Sequence, residues 1–317
     1  MTHPERSAAP RTRQATIALL LVTVLWGFTF VWMKQALLTS ERHLGAAGIV
    51  AGVGLFMVLR FGLAALLMFV LPSVRRGLTG GVWLGGLWIG GLLLAGFLLQ
   101  MFGLQGISAP VSAFLTSLYV VFTALLVSRR PGHRVSATLV VGAVLATLGA
   151  GFIQGPPQLS FGPAEWLTVG CAFVFALHIL ATERVTRRHA PLPVTFTTFA
   201  CVTLGSLVTL AIGMAGDGPD LASIGRLALD PSFAQPMLLS SFLATTLALS
   251  LMNTYQRELE PVRAAILYAV EPIWATLVAI GLGQAEAGFW LAVGGGSLLL
   301  GNVIAELGPL LAARRAR

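Results

Sequence analysis

The sequence predicts an all-α integral membrane protein, with ten transmembrane helices arranged as two inverted five-helix repeats. Three observations carry that expectation. Of 317 residues, 56% are hydrophobic and 10% charged, whereas a soluble domain carries about 25% charged residues. The apolar residues fall into runs of about 20, the length needed to cross a bilayer as helix. A segment of the first half also reappears in the second without a gap.

In chain order, the expected spans are 16–37, 50–71, 82–104, 108–128, 136–154, 163–182, 192–213, 236–255, 262–283 and 289–308. The first follows a tail, residues 1–15, that carries Arg6, Arg11 and Arg13. Its apolar run continues to Leu38, too long for a signal-peptide core of about 7–15 residues, so it is expected to remain in the mature chain. The longest connection, 214–235, holds Asp217, Asp220, Arg226 and Asp230, with a short surface helix expected around Leu221–Leu229. A basic tail, 309–317, closes the chain.

Basic residues set the orientation. Sixteen of the twenty Lys and Arg lie in alternate loops and the two tails, from Arg75 and Arg76 to Arg314, Arg315 and Arg317. The opposite loops hold only Arg42 and Arg226, while Lys34 and Arg60 lie within spans. Both termini are expected in the cytoplasm of a bacterial cell, with the chain in its inner (plasma) membrane. The net charge of +8 is thus topological and implies no nucleic-acid partner.

The repeat aligns Leu104-Gln105-Gly106-Ile107-Ser108-Ala109-Pro110-Val111-Ser112-Ala113 with Tyr255-Gln256-Arg257-Glu258-Leu259-Glu260-Pro261-Val262-Arg263-Ala264, at a constant shift of 151 residues. The match continues through Leu126/Leu277 and Val127/Val278, and Trp26-Gly27-Phe28 falls near Phe175-Ala176-Leu177 at a nearby shift. The halves are therefore 16–154 and 163–308, with five spans each. An odd number of spans puts the second half into the membrane in the opposite sense. Such inverted repeats place a binding site at their interface near the midplane. Glycines four or five apart in the third span (Gly81, Gly85, Gly86, Gly90, Gly91) and in the tenth (Gly294 to Gly296, Gly301) read as close helix packing, with a homodimer contact as the lesser reading.

These residues resemble the EamA-type members of the drug/metabolite transporter superfamily, over about residues 14–306. The resemblance rests on Leu25 to Lys34, Gly103-Leu104-Gln105, Phe114 to Val121, Glu271-Pro272 and Gly296 to Glu306, in that order. It implies a ten-helix inverted-repeat permease or exporter of small metabolites, its cavity lined mainly by spans 1, 3, 4, 6, 8 and 9. The family commonly carries Glu just after the ninth span, where this chain has Gly283-Gln284.

Glu271, with Pro272, lies near the middle of the ninth span. A charge at that depth costs about 2.5–3.5 kcal/mol on insertion scales. Such an acid could carry a proton or pair with a substrate amine; equally, it could close a helix break at Pro272. His178 is the one histidine of five expected inside a span, and an ordinary value of about 6.5 suits a second proton-coupling candidate. It also reads as a core histidine bonded to a carbonyl. Trp26, Gln100, Tyr119, Asn253 and Tyr268 are polar-edged candidates for substrate contact, or else helix–helix glue. Arg60 is a candidate anion site, although snorkelling to a membrane surface is the default for Arg60 and Lys34 alike.

Cys171 and Cys201 read as packing residues, and no metal or cofactor is expected. No Gly-Lys-Ser/Thr loop exists, because Met33 precedes the single lysine, Lys34; ATP drive within the chain is excluded. The sequence thus points to a secondary transporter of small organic metabolites such as amino acids, working by alternating access with a proton as candidate co-substrate. It is not expected to be an enzyme. The alternatives are a membrane-embedded enzyme on lipid-linked substrates, or a receptor or assembly subunit that transports nothing.

Overall fold

The computed structural model of the chain describes residues 8–129, 136–152, 156, 161–283, 288–290, 292–297, 299–301 and 303–304. Arg6, His3, Arg130, His133, Arg134, Gln284, Glu306 and the tail residues Arg314, Arg315 and Arg317 lie outside them, as does part of the tenth span. Eight helices among the described residues are long and apolar enough to cross a membrane, so the protein is an integral, multi-pass membrane protein. Shorter apolar helices, Val140–Gly149 and Ala292–Gly301, stand where the fifth and tenth spans were expected.

The first half begins with α1 (Ala8–Leu44), whose 37 residues run about 55 Å at 1.5 Å per residue and extend beyond both ends of the expected span. Then follow α2 (Ile49–Val70), a short α3 (Pro72–Arg76) and α4 (Gly80–Gly106). The fourth span is two helices, α5 (Ala109–Ser117) and α6 (Tyr119–Ser128), separated at Leu118. Helix α7 (Ala137–Phe152) completes this half. The second half holds α8 (Pro163–Thr186), α9 (Pro191–Met214), the expected surface helix α10 (Leu221–Leu229) and α11 (Pro231–Leu239). A π-helical segment, Ser240–Leu247, leads into α12 (Ala248–Tyr255). The ninth span is again broken, into α13 (Pro261–Tyr268) and α14 (Glu271–Gly281).

Pro272 does not cause that break. It stands in the first turn of α14, where a missing N–H costs no helical bond. The break at Leu118 has no proline nearby and the same local geometry: φ −58°, ψ −13° at Leu118 against φ −61°, ψ −3° at Ala269. The two interrupted positions are 151 residues apart, the sequence-repeat distance.

Small residues let the spans approach closely. Helices α2 and α9 run antiparallel: a Cβ on Gly54 would lie 2.5 Å from the backbone nitrogen of Leu210, and one on Gly213 would press on Ala51. On α4, Gly85 faces Val185 of α8, while Gly86 and Gly90 face Thr197 and Cys201 of α9. These three third-span glycines are thus used within the chain, leaving no room there for a second copy. At the fourth and ninth spans, α5 packs on α14 and α6 on α13, so the two broken helices cross near their breaks.

The connection before α11 is tied by two carboxylates. Asp220 accepts from the Ser223 N–H at 2.8 Å and caps α10; Asp230 accepts from the Ser232 N–H at 2.7 Å and caps α11. The Asp230 carboxylate also meets His43 Nε2 at 2.7 Å, fastening the end of α1 to the start of α11. His43 and the Ser232 N–H hold the Asp230 carboxyl below its ordinary 3.8.

Two outcomes follow. Gly54→Leu should lower the stability of the detergent-solubilised protein by about 1–3 kcal/mol or more, because the Leu210 backbone cannot yield. Gly91→Leu, whose added Cβ meets nothing within 4 Å, should leave the melting temperature near wild type. Because the folded Asp230 carboxyl lies below 3.8, its contribution is present above that pH and fades as pH falls through the folded value. Thermal melts from pH 6 to pH 3 should therefore show a steeper loss of stability in wild type than in Asp230→Asn.

Candidate functional site

A narrow cavity lies among α1, α2, α4, the broken fourth and ninth spans, α8 and α12. About 60 Å³ of it is open to a water-sized sphere. That holds a few waters, at about 10–15 Å³ each by this measure. Any larger solute requires the helices to separate.

Of the eight residues singled out from the sequence, seven line this cavity: Trp26, Arg60, Gln100, Tyr119, His178, Tyr268 and Glu271. Asn253 does not; its side chain donates to Thr195 Oγ1 at 2.8 Å and ties α12 to α9. The sequence offers the helix of Asn253 but not which of its faces turns inward.

One wall is acidic. Glu271 is the first residue of α14 and is buried. The N-terminus of a half-helix favours a negative group by about 0.3–1 kcal/mol, more when partly buried, which offsets part of the cost of an acid at this depth. Tyr119 lies beside the carboxyl, its hydroxyl directed at it. Among the described residues no cation forms an ion pair with Glu271. Gln100 reaches across to Thr116 Oγ1 at 3.2 Å.

An aromatic wall stands next to it. The Trp26 and Tyr268 rings are 5.3 Å apart, and Trp26 donates its indole N–H to the Ala244 carbonyl at 3.2 Å. Tyr268 donates to Gln256 Oε1 at 3.0 Å, and Gln256 in turn donates to the Ile179 carbonyl at 2.8 Å. Phe175, near the position matching Trp26 in the repeat, faces the same cavity and stacks edge-on against Phe97 and His178.

The third wall carries Arg60, which is 0% exposed. Snorkelling is overturned for this residue: the side chain turns inward, because Phe61 and Phe97 pack over the guanidinium at 5.3 and 4.6 Å. Such desolvated contacts contribute about 2 kcal/mol. Arg60 Nε donates to Thr245 Oγ1 at 2.6 Å. Lys34, only partly buried, reaches the end of the neighbouring span. Its ammonium donates to the carbonyls of Leu104, Gln105 and Ile107 at 2.8, 3.0 and 3.0 Å, satisfying the C-terminal end of α4.

Sequence reasoning missed Thr116, Phe97, Thr245 and Gln256 as parts of this site. Gln256 carries a signal, as a glutamine that recurs at Gln105 in the aligned segment. Thr245 carried none, since its role depends on a helix packed 185 residues away in sequence. Among the described residues no group of three His, Cys, Asp or Glu could hold a metal ion, and both cysteines are free.

Residues 162–306 match the model of the EamA-like transporter family. No curated protein matches the chain. Among 29 matching chains of solved structures, one crystal structure of a protein aligns over 93% of this chain and 98% of its own length, at a TM-score of 0.64 and 18% identity. At that identity the likeness shows a shared fold. Over residues 162–306 the chain is thus similar to the EamA-like transporter family, and over nearly its whole length it shares a fold with a solved structure.

Proposed function

We propose that the chain is a secondary transporter, working as an exporter, that moves small organic metabolites such as amino acids across a bacterial inner membrane by alternating access. In this reading ten spans form two inverted repeats, both termini are cytoplasmic, and the central cavity is the transport site. One observation carries it: residues of both halves, Trp26, Arg60 and Tyr119 from the first, His178, Tyr268 and Glu271 from the second, face one narrow cavity. A site at the repeat interface is where transporters of this architecture bind their cargo. The antiparallel course of α2 and α9, and the crossing of the two broken spans, support an inverted relation between the halves. The clustering of basic residues supports the orientation.

Glu271 is the proposed proton carrier, with His178 as a second titrating group across the cavity. An acid on a half-helix N-terminus, without an ion pair, is free to exchange its proton for solute as the cavity opens to one side and then the other. The Trp26–Tyr268 pair supplies an apolar face for the solute's side chain.

Proteoliposomes tested with a panel of labelled amino acids, with and without an imposed pH gradient, should accumulate at least one of them, and faster with the gradient. In Glu271→Gln the rate should fall at least about tenfold, equivalent to about 1.4 kcal/mol, and the remaining flux should no longer respond to the gradient. Transport by this variant at the wild-type rate with unchanged pH dependence would remove Glu271 from the coupling step. No flux of any panel member in wild type would sink the transport reading.

A further inference from the structure

Arg60 is the most demanding polar group in the molecule. Its guanidinium is wholly buried, and among the described residues no carboxylate pairs with it. Removing a charge from water without a partner is strongly unfavourable. Neighbouring groups relieve only part of that. Nε donates to Thr245, Nη1 reaches only the sulfur of Met33 at 3.6 Å, and Nη2 has no partner at all. The side chain lines the same cavity as Glu271, yet the two form no ion pair.

The helix opposite is built to hold this arrangement. Between Ser240 and Leu247 the chain winds as a π-helix, a form that often marks functional sites. The hydroxyls of Thr245 and Thr246 bond carbonyls five residues back, Ser240 at 2.9 Å and Ser241 at 2.8 Å. From this segment Thr245 takes the Nε–H, and Ser241 donates to the backbone carbonyl of Arg60 at 2.8 Å. Both ends of residue 60 are thus clamped by one segment, which leaves the Nη2 edge as its open hydrogen-bonding side. A guanidinium offers parallel N–H groups that match the two oxygens of a carboxylate.

We infer that Arg60 is the carboxylate subsite of the transport cavity, with Thr245 as its positioning residue, and that the cargo is a zwitterion whose carboxylate docks on Nη2 while its ammonium group faces Glu271. The inference rests on the transport reading above. A zwitterion answers both walls at once: it supplies the anion that Arg60 lacks and the cation that Glu271 lacks, and enters with no net charge. An amine without the carboxylate leaves Arg60 buried and unpaired, and an acid without the amine leaves Glu271 so.

The test measures flux in proteoliposomes of labelled L-leucine and L-phenylalanine against their carboxamides, which keep the ammonium group and side chain but lack the carboxylate. Wild type should move the free acid at least tenfold faster than the amide. In Arg60→Gln that ratio should fall to about one. In Thr245→Val, which keeps the arginine and the side-chain volume, acid flux should drop while amide flux holds, and Thr245→Ser should restore the ratio. A merely structural defect would lower both fluxes together. Should Arg60→Gln fail to fold, as judged by helical circular dichroism and a monodisperse elution profile, the two Thr245 variants decide alone. Equal flux of acid and amide in wild type, or an unchanged ratio in the variants that fold, overturns the Arg60 subsite while leaving transport standing. Flux of neither acid nor amide overturns the transport reading and this inference with it.

Discussion

Inside a bilayer there is no water to complete an unfinished hydrogen bond, so each polar group must find its partner in the protein. That constraint explains most of the polar contacts seen here. The end of α4 leaves carbonyls without helical donors, and Lys34 crosses from α1 to satisfy three of them. Tyr268, at the end of α13, is tied through Gln256 to a carbonyl of α8. The small hydroxyls of Thr39, Ser40, Thr186 and Thr195 bond carbonyls one turn back on their own helices. Several buried polar atoms among the described residues remain without a partner, and of these Nη2 of Arg60 belongs to a charged side chain that lines the cavity, which is where a solute can supply what the protein does not.

The same constraint shapes how the halves meet. Helices in lipid gain little from hydrophobicity, which does not distinguish a neighbouring helix from a lipid tail, so their association depends on close contact. Gly54 and Gly213 permit that contact between α2 and α9, and Gly86 and Gly90 permit it between α4 and α9. The broken fourth and ninth spans then cross beside the cavity, and each break presents a helix end to it. Glu271 occupies one such end. The position 151 residues earlier, Val120, carries no acid, so the two breaks differ in chemistry even though their local backbone geometry is alike.

Much of this was legible in the sequence, for identifiable reasons. The surface helix Leu221–Leu229 could be read from its flanking aspartates, since an N-cap is a local interaction. The cavity residues Trp26, Gln100, Tyr119, His178, Tyr268 and Glu271 stood out as polar-edged groups in apolar runs, a pattern that bilayer energetics make conspicuous. Other features were hidden. Asn253 looked equivalent to these but turns to Thr195, a choice of helix face that depends on packing against α9. The sequence offers Pro272 as the place of a helix break, whereas the break falls at Ala269, and the same geometry recurs at Leu118 without a proline.

By itself the sequence determined the membrane environment, the position of most spans and the identity of the buried charges, because hydropathy and charge act locally and leave their mark residue by residue. Only the tertiary structure decided which way those charges point. Arg60 read as a snorkelling residue until Phe61, Phe97 and Thr245, the last on a distant segment, were seen to hold it inward. Glu271 read as an acid in mid-helix until α14 was seen to begin there. Both outcomes depend on contacts or backbone breaks set by packing between halves, and no local pattern encodes them.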